Sequence, residues 1–316
     1  QGYREIFQVG EAFEGRPLTD RQHPHDFFMQ LAAVWRVPLS GATALTIAGG
    51  PVGEPALGPV AFMHRASTTD NPTAPLGHHT IDSTHVSFGV VTAAIDHGPW
   101  SIEASVFNGR EPDEHRWDFD FGRLDSVSAR LWFRPSPAWE VQVSTGHLTD
   151  PEALEPGDIA RTTASAAWTR TKGTDFSAFT VGLGRNDTPH GARHALVAEG
   201  ATRLGKNTLY ARFEALQVET ALLQTDIIPE GADASHADPV VAFTLGGVRA
   251  LPRFFAGEPG LGADVTVYRA PDALASIYGA YPLSFHVFVR LRAPAGPMGR
   301  MWNMRMTRPM GDHAQH

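Results

Sequence analysis

The 316-residue chain has no cysteine. That excludes disulfides and thiolate metal sites, and leaves histidine, methionine and carboxylates as candidate ligands. It has no apolar run near the roughly 20 residues that a membrane-spanning helix requires. Helical periodicity is almost absent. Positive charge is also short: 26 Lys and Arg stand against 34 Asp and Glu, a formal net charge of −8, so a general affinity for nucleic acid is excluded. No signal peptide is visible, but the chain begins with Gln1 rather than Met, so removal of a targeting segment is an expectation.

What is present is alternation. In Leu76–Ala94 a first half carries His78, His79, Asp82 and His85, and a second half places Val86, Phe88 and Val90 opposite His85, Ser87 and Gly89. The same period of two recurs along the chain. Trp100, Ile102, Ala104 and Val106 oppose Ser101, Glu103 and Ser105; Val127, Ala129, Leu131 and Phe133 oppose Ser126, Ser128 and Arg130; Phe285, Val287, Val289 and Leu291 oppose His286 and Arg290. Counted from His25–Val37 to the last such segment, about 13 strands are predicted.

The connections between them alternate between short and long. Short turns fall near 38–41, 96–99, 135–137, 171–174, 205–206 and 252–259. Long ones cover 50–82, 109–122, 148–158, 186–192, 219–239 and 270–282. Long strands with one apolar face, short turns at one end and long loops at the other predict an all-β transmembrane antiparallel barrel, with periplasmic turns and extracellular loops, in the outer membrane of a Gram-negative bacterium. A soluble β-sandwich would alternate too, but has a different strand number and loop rhythm. The domain expectation is 1–25 as an extracellular loop or partial first strand, 26–292 as the barrel, and 293–316 as a Met-rich tail. An even strand number, 14–16 in a complete barrel, calls for at least one strand before Phe27, with Tyr3–Val9 as a candidate.

Two residue sets stand out. The first is His23, His25, Asp26, His64, His78, His79, Asp82, His85 and His115, all in loops or at strand ends assigned to the extracellular side. Imidazole with carboxylate suits copper or zinc. The spacing matches no standard zinc signature, and a hydrogen-bonded network that locks the loops uses the same residues. The second set is on inward faces: Glu103, Arg130, Glu140, Arg161, Glu199, Arg203, Arg212, Glu214, Asp264, His286 and Arg290. Mixed charge there predicts either a polar pore for small ions or a packed, salt-bridged lumen. The 33-residue connection 50–82 is long enough to fold into that lumen. The tail holds Met298, Met301, Met304, Met306 and Met310, with His313 and His316, a composition suited to Cu(I) or to a disordered extension. No GxSxG, HExxH or phosphate loop is present, and the Asp82/His85 pair alone does not specify a hydrolase, so no enzyme is expected.

Four stretches, RPLTDRQHPHDFFMQLA, GEPALGPVAFMHR, HHTIDSTHVSFGVVTA and NGREPDEHRWDFDFGRLDS, resemble a group of uncharacterised bacterial outer-membrane barrels often encoded near copper and heavy-metal resistance genes. The likeness runs from about Gly2 to Arg292. It implies an outer-membrane location, further strands ahead of this part, and a role in metal handling. It carries over as a motif set His23, His25, Asp26, His64, Arg65, His78, His79, Asp82, His85, Arg110, Glu111 and His115, without assigned roles. The Met-rich tail departs from the group. The expected function is porin-like or accessory transport across the outer membrane, in contact with its lipid. The alternatives are a plugged binding or structural barrel within a larger envelope complex, and an outer-membrane hydrolase.

Overall fold

The structure, a computed structural model, describes residues 5–8, 11–13, 16–20, 28, 30–83, 87–113, 115, 117–153, 155–224, 236–255 and 257–292. A small hairpin of β1 (Glu11–Phe13) and β2 (Arg16–Leu18) precedes a 13-stranded antiparallel sheet in which every strand pairs with the next in sequence. Its strands are β3 (Leu31–Ser40), β4 (Thr43–Gly53), β5 (Ser87–His97), β6 (Trp100–Phe107), β7 (Ser126–Ser136), β8 (Trp139–Leu148) and β9 (Ile159–Lys172), followed by β10 (Asp175–Thr188), β11 (Gly191–Leu204), β12 (Asn207–Glu219), β13 (Ala237–Ala250), β14 (Glu258–Arg269) and β15 (Leu283–Arg292). These are the 13 segments whose alternation the sequence displays. Among the described residues three short α-helices lie in the long connections: α1 (His78–Ile81), α2 (Thr220–Gln224) and α3 (Asp272–Tyr278).

The faces of the sheet differ in the way a membrane barrel requires. Outward side chains are apolar and exposed, among them Ile102, Val143, Leu183, Leu245 and Val289. Inward positions between them are buried and largely polar: Glu103, Arg130, Ser144, Arg161, Thr180, Glu199, Arg212 and Thr266. Aromatic rings gather by the short turns. Trp100 and Phe133 lie 4.3 Å apart, centre to centre, and exposed Trp139, Phe254 and Phe255 sit at or beside other turns. Such a ring of aromatics marks the level of a membrane–water interface. Every strand from β4 to β14 is paired on both sides, so its backbone groups are satisfied within the sheet, as a lipid environment demands.

The structure corrects two expectations. The loop expected over 186–192 is a tight turn at Pro189–His190, because β10 and β11 each run for 14 residues and pair as far as Thr188 with Gly191. The strand proposed for Tyr3–Val9 is not what residues 5–8 form. They make a turn inside the barrel mouth, where Phe7 packs among Leu76, Val218, Leu223, Tyr268 and Leu274. Among the described residues β3 and β15 are the sheet edges and are not paired with each other.

The lumen is occupied by the connection after β4. Residues 54–62 and 65–67 are buried, as are 73–78 and 81–83. Leu57 packs with Ala48, Val90, Phe107 and Leu148, so the apolar side of β5 at Phe88 and Val90 turns inward. Two glycines allow this close approach. Gly58 has φ +72, and a Cβ there would meet Ile81 O at 2.6 Å; a Cβ on Gly184 of β10 would lie 2.2 Å from Thr80 O. Gly184→Ala is therefore expected to push α1 off the wall and to lower stability by about 1–3 kcal/mol. A shifted midpoint with an unchanged slope in urea unfolding checks it, and a wild-type midpoint would show that α1 does not need this contact.

Candidate functional site

The segment 54–83 is fixed to the wall around most of its circumference. On one side the Ala56 amide donates to Ser105 Oγ of β6 and the Gly58 amide to Ser144 Oγ of β8, both at 2.8 Å. Arg130 of β7 donates to Gly58 O at 2.8 Å while its other nitrogens hold Glu103 at 2.7 and 2.9 Å. On the other side Arg65 donates to Glu199 of β11 at 2.6 Å and, within the segment, to Asp82 at 2.5 Å. Arg212 of β12 reaches Thr73 O at 2.8 Å, and Arg161 of β9 reaches Asp82 O at 2.8 Å. Towards the short turns Asp70 accepts from Arg290 and Arg292 of β15. A charge at such depth is tolerated only when paired, so these contacts make the segment a plug, not a loose loop.

Inward-facing residues named from sequence therefore lie inside the barrel against the plug or one another, all buried except the half-buried His286 and Arg290. Glu140 faces Arg134 at 3.5 Å, Arg203 meets Glu258 at 3.2 Å, Asp264 takes His286 at 2.6 Å and Tyr210 at 2.9 Å, and Arg212 sits between Glu199 and Glu214.

The histidine set divides. His64 Nδ1 lies 2.7 Å from Glu54. Burial pushes its pKa down, but the hydrogen bond and charge of Glu54 outweigh that and hold the imidazole above its usual value. His78 bonds Pro75 O and rests against the Phe62 ring. Asp82 is engaged by Arg65, the Phe62 amide and, through its carbonyl, Arg161. His115 is exposed beside Asp113. His23, His25, Asp26, His85 and the tail 293–316 lie outside the described residues.

Among the described residues of this set, His79 alone joins a three-ligand cluster. It stands in α1, at the long-loop end of the plug. Its Nδ1 lies 2.9 Å from Glu111 in the 108–125 loop and 3.3 Å from Glu152 in the 149–158 loop. One ligand atom from each residue falls within 4.8 Å of the others. The Glu111 amide donates to Pro151 O at 3.0 Å and locks the two loops together. Asn186 fixes the plug side by donating to His79 O at 3.1 Å and accepting from Arg161 at 2.8 Å. A cavity of about 70 Å³ adjoins the cluster, lined by His79, Glu152, Glu155, Arg193, Glu219 and Phe7 among others. Burial, then the charge of Glu219, lifts the Glu155 carboxyl to about 7 against the pull of Arg193. Glu152 was not named from the sequence. It lies 73 positions from His79 in a third loop, and no spacing links the two.

No protein-family model matches the chain, and no curated protein matches it. Solved structures of similar shape are outer-membrane proteins. A loop-deletion form of OmpT from Vibrio cholerae shares 10% identity at a TM-score of 0.44, covering 83% of this chain and 89% of that one. An anion-selective porin from Comamonas acidovorans shares 10% identity at 0.41, covering 82% and 87%. OccK2 of Pseudomonas aeruginosa, solved with glucuronate, shares 11% identity at 0.38, covering 85% and 78%.

Proposed function

We propose that this chain is a barrel of a Gram-negative outer membrane, closed by its own 54–83 segment, that binds a transition-metal ion at its extracellular end as an accessory to transport. The apolar exterior with aromatics at the short turns supports the membrane location, and the position of the His79 cluster among the long loops supports an extracellular site. One observation carries the closed state: the plug is bonded to strands β6, β7, β8, β9, β11, β12 and β15, which leaves a buried, charge-matched lumen instead of a wide aqueous one. In this reading the inward charges are structural partners of the plug and the work of the chain is binding, without a catalytic group.

The full chain reconstituted in planar bilayers is expected to show no sustained conductance at low voltage. A steady current of the size given by a water-filled porin would overturn the closed reading. Recovery of the native chain in a membrane other than the outer one would overturn the location.

A further inference from the structure

We infer that His79, Glu111 and Glu152 ligate a divalent cation of the zinc, manganese or iron(II) class, and that the ion clasps the plug to two extracellular loops. The clasp rests on the plugged-barrel reading; the ion site rests on the three side chains themselves.

Geometry argues for the ion first. Imidazole nitrogen and carboxylate oxygen bind such cations at about 2.0–2.2 Å, so neighbouring donors in a tetrahedral site stand about 3.3–3.6 Å apart. The His79 contact of 3.3 Å to Glu152 is of this size, and the 2.9 Å to Glu111 needs to open by only a few tenths of an ångström to admit the ion. Glu152 is about nine-tenths buried, yet its Oε2 has no hydrogen-bond partner. A buried carboxylate oxygen in that state is costly unless something cationic completes it. The adjoining cavity of about 70 Å³ exceeds the ~10–15 Å³ that one water needs, so water ligands have room beside the ion.

Donor chemistry selects the class. One nitrogen and two carboxylate oxygens form a borderline-to-hard set with no thiolate or thioether, which suits Zn²⁺, Mn²⁺ or Fe²⁺ and not Cu⁺. Arg161 lies within electrostatic reach of Glu111, Glu152 and Asp82, and offsets part of the negative charge before an ion arrives. Beyond it, Glu155 and the Arg193–Glu219 pair line the way in. Topology then supplies the consequence. The three ligands come from three connections, the plug, the loop after β6 and the loop after β8, so an ion shared between them ties the plug's outer end to the rim.

The test uses the full chain in detergent, stripped with chelator and titrated with Zn²⁺, Mn²⁺ and chelator-buffered Cu⁺. Metal content is read by mass spectrometry and affinity by calorimetry. One Zn²⁺ per chain is expected, with affinity weakened at least tenfold in Glu152→Gln and in Glu111→Gln. Asp118→Asn, in the exposed acidic group Asp113, Asp118 and Asp120, is expected to match the wild type. Heat-modifiable migration on gels confirms that each variant is folded. Zinc should also slow amide exchange across 78–83 in the wild type and not in Glu152→Gln. Undiminished zinc in the Glu111→Gln/Glu152→Gln pair, or none in the wild type, would overturn the site. Cu⁺ bound through these residues in preference to Zn²⁺ would overturn the class. Stoichiometric zinc with unchanged exchange would overturn the clasp. A conducting lumen that still binds zinc at these residues would sink the closed-barrel reading alone.

Discussion

Arg65→Met is expected to weaken the plug by about 3–5 kcal/mol, the cost of leaving buried charges without their partner. Arg65 is 6% exposed and holds Asp82 at 2.5 Å, Glu199 at 2.6 Å and Val60 O at 3.0 Å. Its loss takes from Asp82 its cationic partner and leaves Glu199 with the more distant Arg212 at 3.7 Å, so two carboxylates repel where they were bridged. The effect falls on the plug's attachment, because β11 keeps its backbone pairing with β10 and β12 on either side. Amide exchange in 54–83 should rise by about two to three and a half orders of magnitude, as that free-energy range implies at ~1.4 kcal/mol per tenfold. Bursts of conductance should appear in planar bilayers where the wild type stays closed. The triple variant Arg65→Met, Asp82→Asn, Glu199→Gln removes the charges together and should recover much of the loss, since a neutral buried group costs far less than an ionised one. A single variant with wild-type exchange and a closed lumen would mean that the backbone contacts at Ala56, Gly58 and Thr73 suffice to hold the plug.

How far the sequence reveals this arrangement depends on the range of each interaction. Strands are local, and their alternation shows because lipid and lumen impose opposite chemistries on neighbouring residues; Ile102 and Glu103 are enough to orient β6. Alternation fades where a strand rises beyond the apolar belt. Asn186 and Asp187 read as loop because both faces there are polar, yet Asn186 faces inward in β10 and receives Arg161. Length alone hints that 50–82 enters the lumen, but not which wall residues meet it, since Arg65 to Glu199 spans 134 positions and Arg212 to Thr73 spans 139. The same limit governs the His79 cluster. Adjacent His78 and His79 are equivalent in the sequence, and only folding separates them: one turns to the Pro75 carbonyl, the other to the loops. Asp82, three positions on, reads as a candidate ligand from its spacing alone, and its tie to Arg65 shows only in the fold.

The exterior gives the second large effect, and it discriminates a lipid-facing surface from a merely apolar one. Leu245 of β13 is 54% exposed, between Ala211 of β12 and Val265 of β14. It lies five positions before Ala250, the end of the strand at its short turn. A tilted strand climbs roughly 2.5 Å per residue along the membrane normal, which places Leu245 roughly 12 Å above the interface and near the middle of a ~25 Å apolar band. Leu245→Arg should therefore cost about 2–4 kcal/mol of folding free energy in phospholipid vesicles. Leu204 is 66% exposed but ends β11 directly before the Gly205–Lys206 turn, at the level where an arginine can reach water and headgroups. Leu204→Arg should cost about 0–1 kcal/mol. Urea titration of the folded fraction in vesicles measures both. Depth is what separates the two sites, since both are exposed leucines on the outer face of the sheet. A soluble barrel would accept arginine equally at either, so equal small costs would remove the membrane reading, whereas a gradient from mid-strand to turn is the signature of hydrocarbon around this wall.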